Sequence, residues 1–452
     1  MANLTSSKGN TVFAFDMDGV IVDTVSLFYQ AYDDFLKQFS HTSTPEEHLA
    51  LNGLKIKQIV AYAKKKYALP KNEEELLTLY NQGLSVAYAH PELIPGVKRV
   101  INLLKENGFR LVLLSSSAKN NVDMVLNLFQ LQKYFDFIMT GDDAIDKSSP
   151  HTYTQLKDAL NATEMYVIDD SAIALQSAAA AHVQGIFFNP QRQKLTFPVE
   201  YDIQTMAEME RIMTEIKANC KTFLIHNNVI VTLIKNDVSY KEQENKVNQI
   251  WDAEKNLKKS LCNGTIVSYH SHALKDGSLV INCFLTEYKY FLAQSKMPSL
   301  NLPIFPLAVS GVIIDPENNV LVGQRKDVTE YEQCLELVPS GGISSEHVYN
   351  DKVLWEEQIK AEFMEETGMS SGDIKKITPF CLIFDKEHKV YDIGVKIMLA
   401  TSLHQSFNSL KMDRNKEYKN YQIMGLKQID ALSTEDKVVP TSRVILKMIT
   451  LG

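Results

Sequence analysis

The sequence predicts an α/β protein in which a parallel sheet with an inserted helical module is followed by a second α/β unit. Two observations carry this prediction. In the first ~210 residues, short apolar runs alternate with segments of helical periodicity, a pattern typical of parallel sheets covered by helices. After that point the pattern changes to longer β-rich runs separated by few helices. The 452 residues are enough for about three domains.

The strands predicted for the first sheet are apolar runs bounded by polar or turn residues. They lie at residues 12–15, 110–114, 137–140, 165–168 and 185–188. The segment from Thr24 to about Pro91 is helical in pattern and separates the first strand from the second, so we interpret it as an inserted module. Pro95-Gly96 marks the return to the sheet, and a polar helical stretch at 206–219 leads out of it.

The second part of the chain has its own order of elements. It starts with β-rich runs at 222–225 and 229–234, a helix at about 240–260 that contains Trp251, and strands at 265–270 and 278–284. From about residue 301 we predict strands at 307–314 and 320–324, a helix at 353–367, strands at 379–384 and 394–401, and a closing helix at 440–449.

Composition excludes several classes of protein. The net charge is 47 − 55 = −8, which argues against a general nucleic-acid binder. The five cysteines are widely spaced and form no C-x-x-C pair, which favours reduced thiols over a disulfide framework or a zinc site. The first ten residues lack the apolar core of a signal peptide, and no run reaches ~18 apolar residues. We therefore expect a soluble cytoplasmic protein with no membrane or nucleic-acid partner.

Polar residues follow the ends of four predicted strands in the first sheet. They are Asp16, Asp18, Ser115, Ser116, Lys147, Asp169 and Asp170. Carboxyl ends of parallel strands meet at one edge, where ligands bind. Asp16 suits attack on phosphorus and Asp18 suits proton transfer. Lys147 and Ser115 are suited to bind phosphoryl oxygens. A hard cation such as Mg²⁺ would relieve repulsion among the aspartates. The alternative is that each is an ordinary polar loop residue. It does not explain why such residues follow four strands of the same sheet.

These residues resemble the four motifs of the haloacid dehalogenase superfamily of phosphohydrolases. The motifs are Asp16-Met17-Asp18-Gly19-Val20-x-x-Asp23-Thr24, Ser115-Ser116-Ser117, Lys147-x-x-Pro150 and Ile168-Asp169-Asp170-Ser171. The resemblance implies a Rossmann-like domain at 1–215, with Asp16 as nucleophile, Asp18 as acid/base, and Ser115, Ser116 and Lys147 as phosphate ligands. It also implies that Asp16, Asp18, Asp169 and Asp170 surround Mg²⁺.

The insert at about 24–92 resembles the helical cap of the phosphoglycolate phosphatase and β-phosphoglucomutase branch. A mutase activity therefore stays open beside a phosphatase activity. We expect the loop Gly53-Leu54-Lys55-Ile56-Lys57 to face the site, although Lys55 and Lys57 could equally be solvated surface charges. Ser148 departs from the family, which commonly has proline directly after the lysine.

Three glutamates carry the second candidate site. Glu362, Glu365 and Glu366 fall at i, i+3 and i+4 of a predicted helix, where like charges are unfavourable unless they bind cations. Gly341 and Gly342 precede this helix in a loop that permits close backbone approach, and Gly368 is placed to end it. A solvated acidic helix face is the alternative.

This segment resembles the Nudix box, which implies an α/β/α sandwich that cleaves nucleoside diphosphate derivatives. Glu362, Glu365 and Glu366 would be catalytic and would bind Mg²⁺ or Mn²⁺, with Gly341 and Gly342 in the substrate loop. Two departures are that Ala361 replaces the arginine of the box and that the loop after Gly342 is longer. Arg325 resembles the strand-end arginine that meets substrate phosphates, with a surface salt bridge as its alternative.

The segment at 221–300 resembles the N-terminal extension of the UDP-glucose pyrophosphatase branch, on the spacing of Trp251, Asn263-Gly264 and Tyr290. The Nudix unit would then be 301–452. Together the resemblances imply a bifunctional Mg²⁺-dependent phosphohydrolase. Its Nudix unit would cleave a nucleoside diphosphate derivative such as a UDP-sugar, and its N-terminal unit would dephosphorylate a monophosphate. The alternative is a phosphatase or sugar phosphomutase regulated by a non-catalytic, nucleotide-sensing Nudix domain.

Overall fold

The computed structural model describes residues 10–51, 54, 56–87, 91–143, 146–235, 240, 242–259, 261–275, 277–326, 331, 333–407 and 417–451. The chain divides into two compact units, Met1–Glu210 and Arg211–Gly452. Among the described residues, no helix combines the length and the hydropathy needed to cross a bilayer.

The first unit is built on a six-stranded sheet in which every neighbouring pair is parallel. Its strands are β1 (Thr11–Phe15), β2 (Arg110–Leu114), β3 (Phe137–Met139), β4 (Glu164–Asp169), β5 (Gln184–Phe188) and β6 (Tyr201–Ile203). The order is β3-β2-β1-β4-β5-β6. The predicted parallel sheet is confirmed, but β6 was not predicted, because Asp202 interrupts its two apolar residues and no apolar run marks it.

Helices of the first unit form an inserted module and a cover for the sheet. They are α1 (Val25–Lys37), α2 (Pro45–Leu51), α3 (Ile56–Tyr67), α4 (Glu73–Ala87), α5 (Val97–Glu106), α6 (Lys119–Phe129), α7 (Pro150–Ala159) and α8 (Ala172–Ala180), and the next helix, α9 (Glu208–Lys217), includes the boundary between the units at Glu210. Helices α1 to α4 share a buried cluster that includes Tyr32, Phe35 and Tyr80, so the insert has its own core. Two backbone hydrogen bonds clamp its ends together, from Asp23 to Glu92 (2.9 Å) and from Ile94 to Ile21 (2.9 Å).

The second unit contains two sheets. Their strands are β7 (Cys220–Leu224), β8 (Val229–Leu233), β9 (Thr265–Lys275), β10 (Ser278–Glu287), β11 (Leu307–Ile314), β12 (Asn319–Arg325), β13 (Leu335–Leu337), β14 (Ser340–Gly342), β15 (Val348–Tyr349), β16 (Lys352–Val353), β17 (Ile374–Asp385), β18 (Val390–Leu399) and β19 (Tyr418–Gly425). The mixed eight-stranded sheet follows β13-β12-β11-β18-β17-β7, with β14 on β11 and β19 on β12, and the smaller sheet follows β15-β16-β8-β10-β9.

Strands from the segment at 221–300 are shared between both sheets. β7 pairs with β17 of the larger sheet, and β8 pairs with β16, which lies in the loop before the glutamate helix. One buried cluster includes Val231 and Ile281 of the smaller sheet together with Phe363 and Ile393. The remaining helices are α10 (Glu244–Leu257), α11 (Tyr288–Lys296), α12 (Trp355–Thr367), α13 (Leu403–Phe407), α14 (Leu426–Leu432) and α15 (Pro440–Leu451).

Several predicted bounds differ from the structure, and pairing explains two of them. The helix predicted at 353–367 begins at Trp355, because Lys352 and Val353 pair as strand β16. The strand predicted at 379–384 extends over Ile374–Asp385, with an irregular register next to Pro379 that accommodates the missing N–H. Gly368 ends α12 in the left-handed region at φ 70°, as predicted.

Candidate active site

Asp16 lies at the carboxyl end of β1, in the middle of the parallel sheet. Its backbone N–H donates to the carbonyl of Ile168 (2.9 Å), so the residue extends the pairing of β1 with β4. Its Oδ1 accepts from the N–H of Met17 (2.7 Å). The side chain is 7% exposed, and burial raises the pKa of its carboxyl group well above the ordinary value despite the nearby lysine. The sheet therefore holds this carboxylate rigidly at the base of the site.

Lys147 lies between two aspartates. Its Nζ is 2.7 Å from Oδ2 of Asp16 and 2.8 Å from Oδ2 of Asp169, and its side chain is 4% exposed. Burial alone would lower the pKa of this ammonium group, but the carboxylates of Asp16 and Asp169 outweigh burial and hold it above its usual range. The hydroxyl of Tyr153 donates to the Lys147 carbonyl (3.2 Å), which fixes the loop. Lys147 is thus a permanent cation beside the proposed nucleophile.

Asp18 is held by two hydroxyl groups. Its Oδ1 accepts from Oγ1 of Thr24 (2.6 Å), and its Oδ2 accepts from Oγ of Ser117 (2.6 Å). Thr24 is the residue before α1, where the helical insert begins. Sequence reasoning quoted Thr24 and Ser117 within motifs but did not single them out as site residues. The sequence feature that could have identified Thr24 is its place in the first motif, six residues after Asp18.

Three aspartates form a set that suits a divalent cation. Oxygen atoms of Asp16, Asp169 and Asp170 lie within 4.8 Å of one another. The second oxygen of Asp169 accepts from the N–H of Ser171 (2.8 Å), which orients the group. Carboxylate oxygens are the ligands that Mg²⁺ prefers, and like charges at this separation are relieved by a cation. The residues present therefore fit Mg²⁺, which was the cation expected.

The serines after β2 divide between the interior and the cavity. Ser115 is fully buried, and its Oγ accepts from the N–H of Ser117 (3.0 Å). Ser116 and Ser117 line the cavity. Gly141 packs against this loop so closely that a Cβ there would lie 2.3 Å from the Ser116 carbonyl oxygen. The loop after β3 therefore supports the loop that presents the serines.

A cavity extends from these residues to the helical insert. It has about 860 Å³ of empty space, part of it open to solvent. Its floor includes Asp16, Asp18, Lys147 and Asp170, and its other walls come from the insert. Of the loop expected to face the site, Leu54 and Ile56 line the cavity and Lys57 is exposed. Gly53 and Lys55 lie outside the described residues.

The second candidate site lies on α12 and the loop that precedes it. The N–H of Ser340 donates to Oε2 of Glu366 (3.1 Å), and Oε1 of Glu362 accepts from Nε2 of Gln358 (2.7 Å). A Cβ on Gly341 would lie 2.0 Å from Oε1 of Glu362, whereas one on Gly342 would meet nothing within 4 Å. The close approach of loop and helix expected at the first glycine is therefore present.

The three glutamates of α12 differ in exposure. Glu366 is buried, Glu362 is half-buried and Glu365 is exposed. Burial raises the pKa of Glu362 to about 7, and burial with neighbouring carboxylates raises the pKa of Glu366 well above its ordinary value. Within the described part of the chain, Asp16, Asp169 and Asp170 form the only group of three or more acidic, histidine or cysteine residues whose ligand atoms all lie within 4.8 Å of one another. The glutamates are not gathered so closely.

Arg325 pairs with Glu336 in the neighbouring strand β13. The hydroxyl of Tyr418 also donates to Oε2 of Glu336 (2.9 Å). Glu336 and Glu417 add to the repulsion that raises the pKa of Glu366. Sequence reasoning missed both of these carboxylates because neither belongs to a motif, although Glu336 lies only three residues before Pro339. Arg325 as a phosphate ligand stays a prediction.

Residues 13–188 match the model of the family "Haloacid dehalogenase-like hydrolase". A phosphorylated carbohydrates phosphatase of Thermotoga maritima is 24% identical over 179 residues, which cover 38% of this chain and 82% of that protein. Hexitol phosphatase B of Escherichia coli K12 is 26% identical over 179 residues, covering 38% and 80%. Among solved structures, CbbY of Rhodobacter sphaeroides in complex with phosphate is 20% identical, covers 44% of this chain and 96% of its own, and has a TM-score of 0.39.

The family match covers β1 to β5, the helical insert and all the strand ends that carry the candidate site. The N-terminal ~190 residues of this chain are a haloacid dehalogenase-like hydrolase domain.

Proposed function

We propose that the first unit is a phosphomonoesterase that works through an aspartyl-phosphate. The observation that carries this proposal is the contact of one buried lysine with two buried aspartates, at 2.7 and 2.8 Å, beside a third aspartate that lines the cavity. A nucleophile, a fixed positive charge and cation ligands are thus placed together. The two relatives named above are phosphatases of phosphorylated carbohydrates and hexitols, which supports the same reaction class.

The reaction takes two steps. An oxygen of Asp16 attacks phosphorus, the bond from phosphorus to the ester oxygen breaks, and Asp18 gives its proton to the leaving oxygen. Asp18 then takes a proton from water, the water oxygen attacks phosphorus, and the Asp16 carboxylate is released with orthophosphate. Lys147 balances charge on the phosphoryl oxygens throughout. Mg²⁺ bound by Asp16, Asp169 and Asp170 would supply further charge neutralisation.

Substitution of Asp16 tests the proposal. We expect Asp16→Asn to lower kcat for phosphomonoesters by about 10³-fold or more, because the amide is not a nucleophile. Asp18→Asn should lower kcat by roughly 10²–10⁴-fold. The matched control is Asp123→Asn on α6, where the partly exposed carboxylate pairs with Lys119 (2.8 Å). Full activity in Asp16→Asn would refute the aspartyl-phosphate. Transfer of phosphate to a sugar hydroxyl instead of water would identify a mutase.

We also propose that the second unit is a Nudix hydrolase that supplies the first with a monophosphate. The observation that supports it is the packing of the Gly341 loop on α12, where Ser340 and Gly341 contact the glutamates that the resemblance assigns to catalysis. A nucleoside diphosphate derivative such as a UDP-sugar would be split into two monophosphates. Each product is a phosphomonoester, which is the substrate class proposed for the first unit.

A product-resolved assay tests this sequential scheme. UDP-sugars would be incubated with Mg²⁺ or Mn²⁺ and with wild type, Asp16→Asn or Glu365→Gln. If Asp16→Asn accumulates a monophosphate that wild type converts to orthophosphate, the scheme stands. If neither variant changes any product, the scheme is wrong.

The alternative is a nucleotide-sensing second unit that regulates the phosphatase without catalysis. The pairing of Arg325 with Glu336 and the wide spacing of the glutamates favour it. It would be established if Glu365→Gln left every hydrolytic activity unchanged while a nucleotide still bound and altered the phosphatase rate.

A further inference from the structure

The walls of the active-site cavity differ sharply in chemistry. The floor is charged, whereas α1 to α4 and the residue Leu54 contribute rings and aliphatic chains. The insert residues on the cavity are Phe28, Tyr29, Tyr32, His48, Leu51, Leu54, Ile56, Ile59, Tyr80 and Leu84. Among the insert residues that the structure describes, no lysine, arginine or carboxylate lines the cavity. The part of a substrate that lies beyond the phosphate would therefore meet a mostly apolar surface.

The rings of this wall form an ordered group. Tyr29 and His48 are stacked, with ring centroids 4.4 Å apart and an interplanar angle of 14°. Tyr32 meets His48 and Tyr80 edge-on, with centroids 6.1 Å apart in each pair. Such a group offers faces and edges on which a flat ring of a ligand packs favourably.

Two polar groups of the wall already have partners inside the insert. The hydroxyl of Tyr32 donates to Oε1 of Glu47 (2.8 Å), and the other oxygen of Glu47 accepts from Lys66 and Tyr67. Nε2 of His48 contacts the hydroxyl of Ser43. Because these polar atoms are bound elsewhere, they are poorly placed to receive the hydroxyl groups of a polyol. Tyr29 and Tyr80 also line the cavity and carry hydroxyls, so a polyol would find a few partners there, but desolvating its remaining hydroxyls would disfavour that leaving group.

We propose that the substrate of the first unit is a phosphomonoester whose leaving group carries a planar aromatic ring, and that the ring packs in the insert against Tyr29, Ile56 and Ile59. The inference rests on the proposed phosphomonoesterase function and names its substrate class. A nucleoside 5′-monophosphate and pyridoxal 5′-phosphate share this chemistry, whereas hexose and hexitol phosphates lack the ring.

The test compares esters of primary alcohols with Mg²⁺ and the full chain. The ring-bearing substrates are uridine and adenosine 5′-monophosphate and pyridoxal 5′-phosphate, and the polyol substrates are glucose 6-phosphate and sorbitol 6-phosphate. We expect at least one ring-bearing ester to have a kcat/KM at least tenfold above both polyol phosphates. The ring-bearing ester with the highest kcat/KM then shows whether the substrate is a nucleotide or a pyridine phosphate. Preference for either polyol phosphate would overturn the proposal.

Substitution of the wall gives a second readout. Ile56→Asn and Ile59→Asn should lower kcat/KM for the ring-bearing ester about tenfold and leave the polyol phosphates nearly unchanged. Ile56 and Ile59 also pack against the core of the insert, so urea unfolding and activity on the polyol phosphates show whether each variant folds. The control is Lys65→Gln on the same helix, which is exposed and does not line the cavity. An equal loss for both substrate classes would mean that these residues only support the fold and would refute the inference.

Binding separates this inference from the proposed function. The same esters would be titrated calorimetrically into Asp16→Asn with Mg²⁺. If wild type hydrolyses none of them, the proposed function is wrong, yet tighter binding of a ring-bearing phosphate by tenfold or more would still support the aromatic subsite. If wild type hydrolyses them but the two classes bind and react equally, the function stands and the subsite is wrong.

Discussion

At the scale of single residues, the first unit depends on the burial of unlike charges together. Lys147, Asp16 and Asp169 are each less than a tenth exposed. A buried ion pair gains little net stability over apolar packing, but removal of one partner leaves an uncompensated charge. The chemistry of the site therefore explains this arrangement better than stability does. Its effect on the free energy of unfolding can be measured by removing one partner.

Lys147→Met should destabilise the first unit by about 3 kcal/mol in the absence of divalent cations, because two buried carboxylates lose their counter-charge. Mg²⁺ should restore part of this stability, since it can replace the lost positive charge. The measurement is urea unfolding with EDTA or with Mg²⁺. Lys119→Met is the control, because Lys119 and Asp123 form an exposed pair (2.8 Å) that contributes little to stability. Equal losses in the two variants would contradict the prediction.

Asp392 in the second unit is a buried carboxyl group outside both candidate sites. Ser310 donates to its Oδ2 (2.8 Å), while its Oδ1 has no hydrogen-bond partner. Burial raises its pKa from 3.8 to about 7. Because the folded state then binds more protons than the unfolded state between these values, the free energy of unfolding falls as pH rises from about 4 to 7.

Asp392→Asn should remove this fall and make the second unit more stable than wild type at pH 8. We expect a gain of roughly 2 kcal/mol, less than the full pKa shift implies, because the new amide also lacks a partner. Urea unfolding between pH 4 and 8 measures it. Asp252→Asn on the exposed face of α10 is the control and should follow wild type. An unchanged pH profile in Asp392→Asn would mean that this carboxyl does not titrate on unfolding.

At the scale of elements, α12 is fixed at both ends and along one face. Nε1 of Trp355 donates to the Val229 carbonyl of β8 (3.3 Å) at its start, and Gly368 ends it. The N–H of Ser344 donates to Oε1 of Gln358 (3.2 Å). The helix therefore depends on the segment at 221–300 for its position. These contacts place the glutamates against the glycine loop before any ligand binds.

Gly341→Ala and Gly342→Ala test this packing as a matched pair. The methyl group at position 341 would meet the Glu362 carboxylate at 2.0 Å, so that side chain must leave its bond to Gln358. We expect a loss of about 1–3 kcal/mol in thermal or urea unfolding of the second unit. Gly342→Ala meets nothing within 4 Å and should change stability by less than ~0.5 kcal/mol. A comparable loss in both variants would indicate a backbone effect instead of contact with α12.

At the scale of the whole molecule, length alone suggests about three domains, whereas the contacts define two units. The segment at 221–300 forms no unit of its own, because β7 completes the larger sheet and β8 joins β9 and β10 to β16 in the smaller sheet. An extended segment that shares hydrogen bonds and a core with a neighbour unfolds with it. We therefore expect two cooperative transitions and not three.

Calorimetry of the full chain should show one transition that responds to Mg²⁺ with orthophosphate and one that does not. A ligand at 100 times its Kd adds about 2.7 kcal/mol, which raises the midpoint by roughly 5–10 °C for a unit of this size. Asp169→Asn should abolish the shift, because it removes a cation ligand. A single transition that moves as a whole would show that the two units unfold together.

Much of the first unit could be predicted from the sequence because its signals are local. Strands β1, β2, β4 and β5 are mostly buried apolar runs, and Asp16, Ser115 and Asp170 directly follow the ends of β1, β2 and β4. The resemblance of residues 13–188 to a known family agrees with these local signals. The hydroxyl partners of Asp18 were harder to predict, because Ser117 is 99 residues away and its contact depends on the register of β1 with β2.

The sequence by itself determined the parallel sheet, the inserted helices and the identity of the charged residues at the strand ends. Only the tertiary structure decided how those charges pair and what faces them. Lys147 lies between two aspartates because β1 and β4 are neighbours, and the packing of α1 to α4 on one another brings the rings of the insert to the cavity. Periodicity records burial along one element, whereas pairing and cavity chemistry depend on contacts between elements that are distant along the chain.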